Sequence, residues 1–347
     1  MAEVVVLEDF LKRIEEGGSL LLDVRSESEF KQGHIPGAVN LPLLNDEHRA
    51  IVGTIYKQKG REAAVLSGFD LAGNKFGNFV RTVLELSPKK QVLLYCWRGG
   101  MRSNIMAWIL NMAGFKVTLL KGGYKFFRRW TVDQFNRQYK IIIIGGRTGS
   151  GKTDVLKCLK AKGEQVIDLE ALANHKGSAF GSMGELLQPR NEYFENLLAM
   201  EWSRVDGGKI LWLENESITI GSVKLPNSVF EMMRAAPVVE LKVSLEARSK
   251  RILEVYGKFS VDALVENTMK LKKRLGDLRT RQAVEALQSD NKGAWLAEVL
   301  AYYDSAYDYG MAQRKKDSTM MIEWKDEESV DKVVEKIQFA SVASVLI

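Results

Sequence analysis

Cysteine is nearly absent from this chain: there are two in 347 residues, Cys96 and Cys158. Two distant cysteines do not make a disulfide framework, which points to a reducing compartment. Long apolar runs are also missing. No stretch approaches the roughly 20 residues that a membrane helix needs. The apolar end, Phe339 to Ile347, is too short for a span and reads as a docked terminal segment. The start, Met1-Ala2-Glu3-Val4, has no basic stretch followed by an apolar run, so no signal peptide and a cytoplasmic location are expected. Internal repeats and low-complexity tracts are lacking too. Neither sign of charge dominates: 50 Lys and Arg face 44 Asp and Glu, for a net charge of +6. That mild excess suggests a polyanionic partner without requiring one.

What is present is ordinary globular composition, 46% hydrophobic and 27% charged, in a chain long enough for two domains. Short apolar strands are expected at Ser19–Val24, Ala38–Leu41, Gln91–Tyr95 and Val117–Leu120. Helical spacing of Ile105, Ile109 and Met112 fills the gap between the last two, with Gly114 as the helix stop. Tyr124 to Tyr139 is basic and aromatic and reads as a connecting helix. A second alternation then begins at Lys140–Ile144, with further strands at Gln165–Ile167, Lys209–Leu213, Val238–Val243 and Met320–Trp324. Ser244 to Gln313 is mainly helical. The expected fold class is α/β with mostly parallel sheets, divided into domains at 1–130 and 131–347.

Two loops carry the chemistry. Cys96 ends an apolar strand and opens Cys96-Trp97-Arg98-Gly99-Gly100-Met101-Arg102-Ser103. Backbone N–H groups of such a turn converge on the sulfur. The helix that follows adds partial positive charge, and Arg98 and Arg102 add full charges, so the thiolate is favoured. The bland alternative is a buried, inert cysteine, against which the glycine pair and the flanking arginines argue.

The second loop, Gly146-Arg147-Thr148-Gly149-Ser150-Gly151-Lys152-Thr153, matches G-x-x-x-x-G-K-T between a strand and a helix. Its glycines let N–H groups surround a phosphate. Lys152 would contact the terminal phosphate, and Thr153 would hold Mg²⁺. Asp168, His175 and Glu214 are candidates for substrate or metal contacts, Glu214 at a Walker B-like strand end. Arg248 and Arg251 are placed like the lid arginines of small P-loop kinases. Solvated strand-end carboxylates and solvated helix charges are the bland alternatives.

Between Lys242 and Arg281 eleven Lys and Arg face five Asp and Glu. Lys270, Lys272, Lys273 and Arg274 are set around Leu264, Leu271, Leu275 and Leu278, which read as the apolar face of a cationic helix. Lys125, Arg128 and Arg129, with Tyr124, Phe126, Phe127 and Trp130, make a second basic and aromatic patch. Both are candidate nucleic-acid contacts, through phosphates and through stacking on an unpaired base.

Asp23-Val24-Arg25, Glu29-Phe30, the string Gly33-His34-Ile35-Pro36-Gly37-Ala38-Val39-Asn40-Leu41-Pro42 and the cysteine loop together resemble the rhodanese family over residues 5–130. The resemblance implies that Asp23, Arg25 and His34 shape the fold first. Arg102 falls six positions after Cys96, where the common sulfurtransferase loop has its arginine at five. The longer loop is similar to the phosphatase and arsenate-reductase relatives and puts plain thiosulfate sulfurtransferase activity in doubt.

A rhodanese-like domain followed by a P-loop domain with a helical C-terminal elaboration resembles the tRNA 2-selenouridine synthases. Gly122-Gly123-Tyr124-Lys125, Asp168-Leu169-Glu170 and His175-Lys176-Gly177-Ser178-Ala179-Phe180-Gly181 add to that likeness. The resemblance implies a transferase acting on wobble 2-thiouridine in tRNA. Its co-substrates would be geranyl diphosphate, gripped by the phosphate loop, and selenophosphate, serving Cys96, with Mg²⁺ as a candidate cofactor. A phosphatase or kinase, and a non-catalytic sulfur-relay or tRNA-binding adaptor, stay open beside it.

Overall fold

The computed structural model describes residues 2–314 and 319–345, without the side chains of 341–345. Contacts divide the chain into two units. Met1–Gln134 with Arg190–Met200 form the first, and Phe135–Pro189 with Glu201–Ile347 the second.

The first unit runs β1 (Glu3–Val5), α1 (Leu7–Glu16), β2 (Leu20–Asp23), α2 (Glu27–Gln32), β3 (Val39–Asn40), α3 (Asp46–Ala72), α4 (Phe76–Leu86), β4 (Gln91–Tyr95), α5 (Met101–Met112), β5 (Lys116–Leu120) and α6 (Gly123–Gln134). Its five strands form one sheet in the order β1-β5-β4-β2-β3, and every neighbouring pair is parallel. The middle strand explains itself. Val92, Leu93, Leu94 and Tyr95 are all buried, and a strand covered on both faces needs an unbroken apolar run rather than alternation. Gly114 closes α5 with φ +82° and donates its N–H to Asn111 O at 3.0 Å, as its position in the sequence suggests.

Two parts of this unit were not expected. β1 is three residues long, and only Val5 of it is buried. α3 spans 27 residues, bends at Gly60 (φ 84°), and buries only Ala64 and Ala72.

The second unit runs β6 (Lys140–Gly145), α7 (Lys152–Ala161), β7 (Gln165–Val166) and α8 (Leu169–Ala173), then α9 (Asn191–Ser203), whose first ten residues belong to the first unit. It continues with β8 (Ile210–Glu214), β9 (Thr219–Ile220), β10 (Val223–Lys224), α10 (Asn227–Ala235) and β11 (Val238–Val243). Next come α11 (Leu245–Tyr256), α12 (Val261–Lys270), α13 (Lys272–Leu275), α14 (Asp277–Gln288) and α15 (Lys292–Ala312). β12 (Thr319–Trp324) and α16 (Val330–Val345) end it. A second all-parallel sheet has the order β12-β11-β6-β8-β7, and β9 and β10 form a separate antiparallel hairpin. α7 and α16 cover this sheet through Val155, Leu156, Leu159, Val333, Val334 and Ile337. A separate core of Leu264, Leu271, Leu275, Leu287, Trp295 and Leu300 holds α12 to α15 together, with Phe180 and Met183 from the loop after α8.

Three expectations need correction. The basic stretch is not one helix. It breaks into α12, α13 and α14 at Leu271 and Gly276 (φ 87°), so Leu278 leaves the apolar face and is 66% exposed. Phe339 is not docked: it is exposed, on a face of α16 turned away from Val333, Val334 and Ile337. Ala340, the next residue of that expected segment, does pack against this core, while the side chains of 341–345 and all of Leu346 and Ile347 lie outside the described residues. The connecting helix stops at Gln134, five residues before Tyr139.

Candidate functional site

Both chemical loops leave the carboxyl end of the middle strand of a five-stranded parallel sheet, β4 in one unit and β6 in the other. At that point neighbouring connections diverge and leave a crevice, which is where open α/β sheets bind ligands.

Cys96 is 3% exposed. Gly100 N donates to its Sγ at 3.3 Å, and Ser103 Oγ lies 3.2 Å from the same sulfur. Ser103 is itself fixed by donating to Gly100 O at 2.9 Å. The loop is pinned from the opposite side by the β5–α6 turn, where Tyr124 N donates to Cys96 O at 2.9 Å and Lys125 N to Trp97 O at 2.8 Å. Gly123 has φ 58°, and a side-chain carbon there would collide with the Cys96 carbonyl, so this approach requires glycine. Of the two loop arginines, Arg98 is exposed. Arg102 forms a bidentate pair with Glu29 at 2.6 and 3.2 Å.

Below the loop, the Asp23–Arg25 pair is fully buried, with Arg25 Nη2 2.6 Å from Asp23 Oδ2 and donating to Gly33 O at 2.7 Å. The Arg25 guanidinium lies 3.8 Å from the Tyr124 ring centre. His34 stacks between Phe30 and Tyr193, and burial lowers its pKa. These three groups support the loop. The first part of α9 completes the support. Tyr124 Oη donates to Glu192 Oε1 at 2.7 Å, and Asn196 Nδ2 donates to Tyr124 Oη and to His34 O, each at 2.8 Å. Arg128 binds Asn196 Oδ1 and Glu195 Oε2. No motif in the sequence marked Glu192, Glu195 or Asn196. The only available hint was the buried-type spacing of polar residues among apolar ones in α9.

The phosphate loop is held open by glycines with positive φ at 146, 149 and 151. A side chain at Gly149 would press to 2.8 Å from Arg248 O. Lys152 Nζ folds back onto Gly146 O at 3.0 Å. Thr153, at the start of α7, is half-buried, while Ser150 Oγ is buried without a hydrogen-bond partner among the described residues. Three arginines border the loop. Arg248 donates to Thr148 O at 3.1 Å and, through both terminal nitrogens, to Asp304 at 2.8 Å. Arg147 pairs with Asp308 at 2.6 Å and with Asp304 at 3.6 Å. Arg251 lies 4.2 Å from the Trp324 ring centre and donates to Gly149 O at 3.4 Å. Gly146 N donates to Tyr307 Oη at 2.6 Å. Asp304, Tyr307 and Asp308, one face of α15, were not legible because they stand some 150 residues after the loop they serve.

Carboxylates gather beside Lys152. Asp168 caps α8 by accepting from Ala171 N at 2.8 Å. Glu214 is 3% exposed, and its Oε1 accepts from Glu170 N at 2.8 Å. Its Oε2 is buried without a partner among the described residues. Burial, and then the charges of Asp168, Glu170 and Glu216, push the Glu214 pKa well above the usual carboxylate range. Glu170 is raised to about 8, by burial first and by Glu216 next. Glu216 is also raised by burial, with Lys152 opposing. Sequence reasoning singled out Asp168 and Glu214 but passed over Glu170 and Glu216. His175 is 8% exposed, with Nδ1 buried and unpartnered among the described residues, and burial lowers its pKa.

Of the expected nucleic-acid contacts, Lys125, Arg129, Lys270, Lys272, Lys273 and Arg274 are exposed. Lys270 pairs with Glu266 and Lys272 with Asp277. Arg128 is committed to α9, and Tyr124 and Phe127 are fully buried, so those two rings cannot stack on a base. Phe126, at 44% exposed, can.

Residues 6–129 match the model of the rhodanese-like domain, and residues 139–339 match that of the tRNA 2-selenouridine synthase AAA domain. A tRNA 2-selenouridine synthase of a Sulfurovum species is 37% identical, over 83% of this chain and 88% of that one. The synthase of Bdellovibrio bacteriovorus is 35% identical, over 88% and 92%. With that of Nitrosomonas europaea the identity is 41% over 68% of this chain, a match that spans 63% of the relative. The domain order, the two loops and these similarities converge: the chain belongs to the tRNA 2-selenouridine synthase family.

Proposed function

We propose that this protein makes 2-selenouridine at the wobble position of tRNA in two steps, one at each loop. The observation that carries the reading is the pairing itself. A cysteine held by a loop N–H and a serine hydroxyl, and a glycine-rich phosphate loop with Lys152, occur on one chain whose relatives are named for that product. The domains are taken as 1–130 and 131–347.

In the first step the sulfur of 2-thiouridine attacks C1 of geranyl diphosphate. The C1–O bond breaks, diphosphate leaves, and the N3 proton is released. Lys152, the loop N–H groups and the arginines 147, 248 and 251 stabilise the departing charge. Mg²⁺, when bound, would be held by Thr153, with Glu214, whose Oε2 is buried without a partner among the described residues, as a second candidate contact, and it would supply further charge neutralisation. In the second step selenium from selenophosphate takes the place of sulfur at C2: the C2–S bond breaks, geranylthiolate leaves, a better leaving group than a thiocarbonyl, and water cleaves the Se–P bond and releases phosphate. Cys96 acts as the nucleophile at C2, displacing geranylthiolate and being displaced in turn by the selenium, with no change of oxidation state, and Arg98 and Arg102 are ligands for the phosphate oxygens. Lys125, Arg129 and the 270–274 cluster contact the tRNA backbone. A cytoplasmic location goes with this reading.

The test is incubation with 2-thiouridine tRNA, geranyl diphosphate and selenophosphate, followed by mass spectrometry of the digested nucleosides. The reading expects 2-selenouridine, and a geranylthio species when selenophosphate is withheld. An unchanged nucleoside profile would sink it in favour of phosphoryl chemistry.

A further inference from the structure

Arg102 stands next to Ser103, whose hydroxyl lies 3.2 Å from the Cys96 sulfur. Of the loop's two arginines it is the one whose guanidinium fork is already filled. Nη1 and Nη2 donate to the two oxygens of Glu29 at 2.6 and 3.2 Å. Glu29 is in turn held in place. Ser26 N and Oγ donate to its Oε2 at 3.1 and 3.2 Å, and Arg49 Nε stands 3.6 Å away. The pair is only partly exposed, at 21% for the Arg102 side chain and 17% for that of Glu29, so solvent screens it incompletely. A carboxylate matched to guanidinium in this way occupies the geometry that a phosphate oxyanion would need.

We propose that Glu29 sets the anion specificity of the cysteine loop, acting as a built-in competitor that an oxyanion must displace from Arg102 before it can bind beside Cys96. The proposal rests on the reading that this loop takes a phosphate-type anion. A singly charged anion is a poor rival for a bidentate carboxylate. A phosphate-type ligand, with more charge and three acceptor oxygens, competes better. When the product anion leaves, Glu29 recaptures Arg102, which favours release. Glu29 is a positioning residue here, because it acts through Arg102.

The probe is inorganic phosphate, and the readout is protection of Cys96 from iodoacetamide in the full-length protein, with Cys158 alkylation as the internal control. Glu29→Gln keeps an acceptor for Ser26, so the start of α2 stays capped. It should lower the phosphate concentration for half-protection by about tenfold, equivalent to about 1.4 kcal/mol. Glu29→Asp, with a shorter reach, should shift it in the same direction by less, and it serves if the glutamine variant does not fold. In Arg102→Met the protection should be weak, and Glu29→Gln added to it should restore nothing. Equal phosphate dependence in wild type and Glu29→Gln would overturn the proposal, and so would a gain that persists without Arg102. Formation of 2-selenouridine by the wild type is scored separately, so failure of the proposed cycle is not confused with failure of this competition.

Discussion

The cysteine loop and the phosphate loop start from the same place, the end of a central parallel strand, and diverge in how they treat charge. The cysteine loop is tight. Its sulfur receives one backbone N–H and faces one hydroxyl, one of its two arginines, Arg102, is paired with Glu29, and a neighbouring turn presses against it from behind. The phosphate loop is charge-rich on both sides: Lys152 and three arginines border it, with Asp304 and Asp308 on α15 and buried carboxylates beyond. The first geometry suits a single nucleophile. The second suits a ligand whose charge changes greatly during reaction, because ordered counter-charges need no reorganisation at that moment.

The largest effects should separate the two loops. Cys96→Ala should abolish 2-selenouridine while leaving the geranylthio nucleoside, as read by mass spectrometry; loss of both products would mean the loops do not divide the work. Lys152→Ala should lower geranyl transfer by roughly 10²–10³-fold with the iodoacetamide reactivity of Cys96 unchanged. A parallel fall in that reactivity would argue for a folding defect instead.

Asp304→Asn comes next. It leaves Arg248, 4% exposed, and the partly exposed Arg147 without their shared carboxylate. The Michaelis constant for geranyl diphosphate should rise about tenfold with a smaller change in turnover. An unaltered constant would show that the arginines hold their places without α15.

These two loops were also unequally legible. Gln91–Tyr95 could be bounded from sequence because a buried parallel strand leaves an unbroken apolar run, and Val238–Val243 because its valines and Leu241 stand out although Glu240 and Lys242 interrupt them. Cys96 and the phosphate loop announced themselves through residue type and spacing. Arg102 was found, but Glu29, its counter-ion, was seen only as part of a fold motif, since pairing across 73 positions leaves no local trace. Asp304, Tyr307 and Glu216 were missed for the same reason. Leu278 was misplaced because a helical period carried through Gly276 ignores the break that glycine makes. α3 was missed because it buries almost nothing that a periodicity could reveal.

Smaller effects concern stability. Asn196 is fully buried and joins Tyr124, Arg128 and His34 O. Asn196→Ala should cost about 1–3 kcal/mol for the partners left unsatisfied, measured as a shift in denaturant midpoint; no shift would mean water replaces the amide. In the second unit, Glu170 keeps its proton up to about 8, against an ordinary 4.5. Its stabilising contribution is complete below the ordinary value and is lost as pH rises through the folded one. Glu170→Gln should flatten the fall in unfolding free energy across that window. An unchanged slope would assign the fall to Glu214 and Glu216.

The placement of Arg190–Met200 with the first unit bears on how the molecule is born. The chain passes into the second unit after Gln134, returns at Arg190 and leaves again after Met200. On the ribosome, the support beneath Tyr124 and Arg128 therefore cannot close when residue 134 emerges. It must wait until α9 is out, by which time β6, the phosphate loop and α7 are already exposed. The cysteine loop should thus complete its support only after α9 has been made, although Cys96 itself emerges well before it.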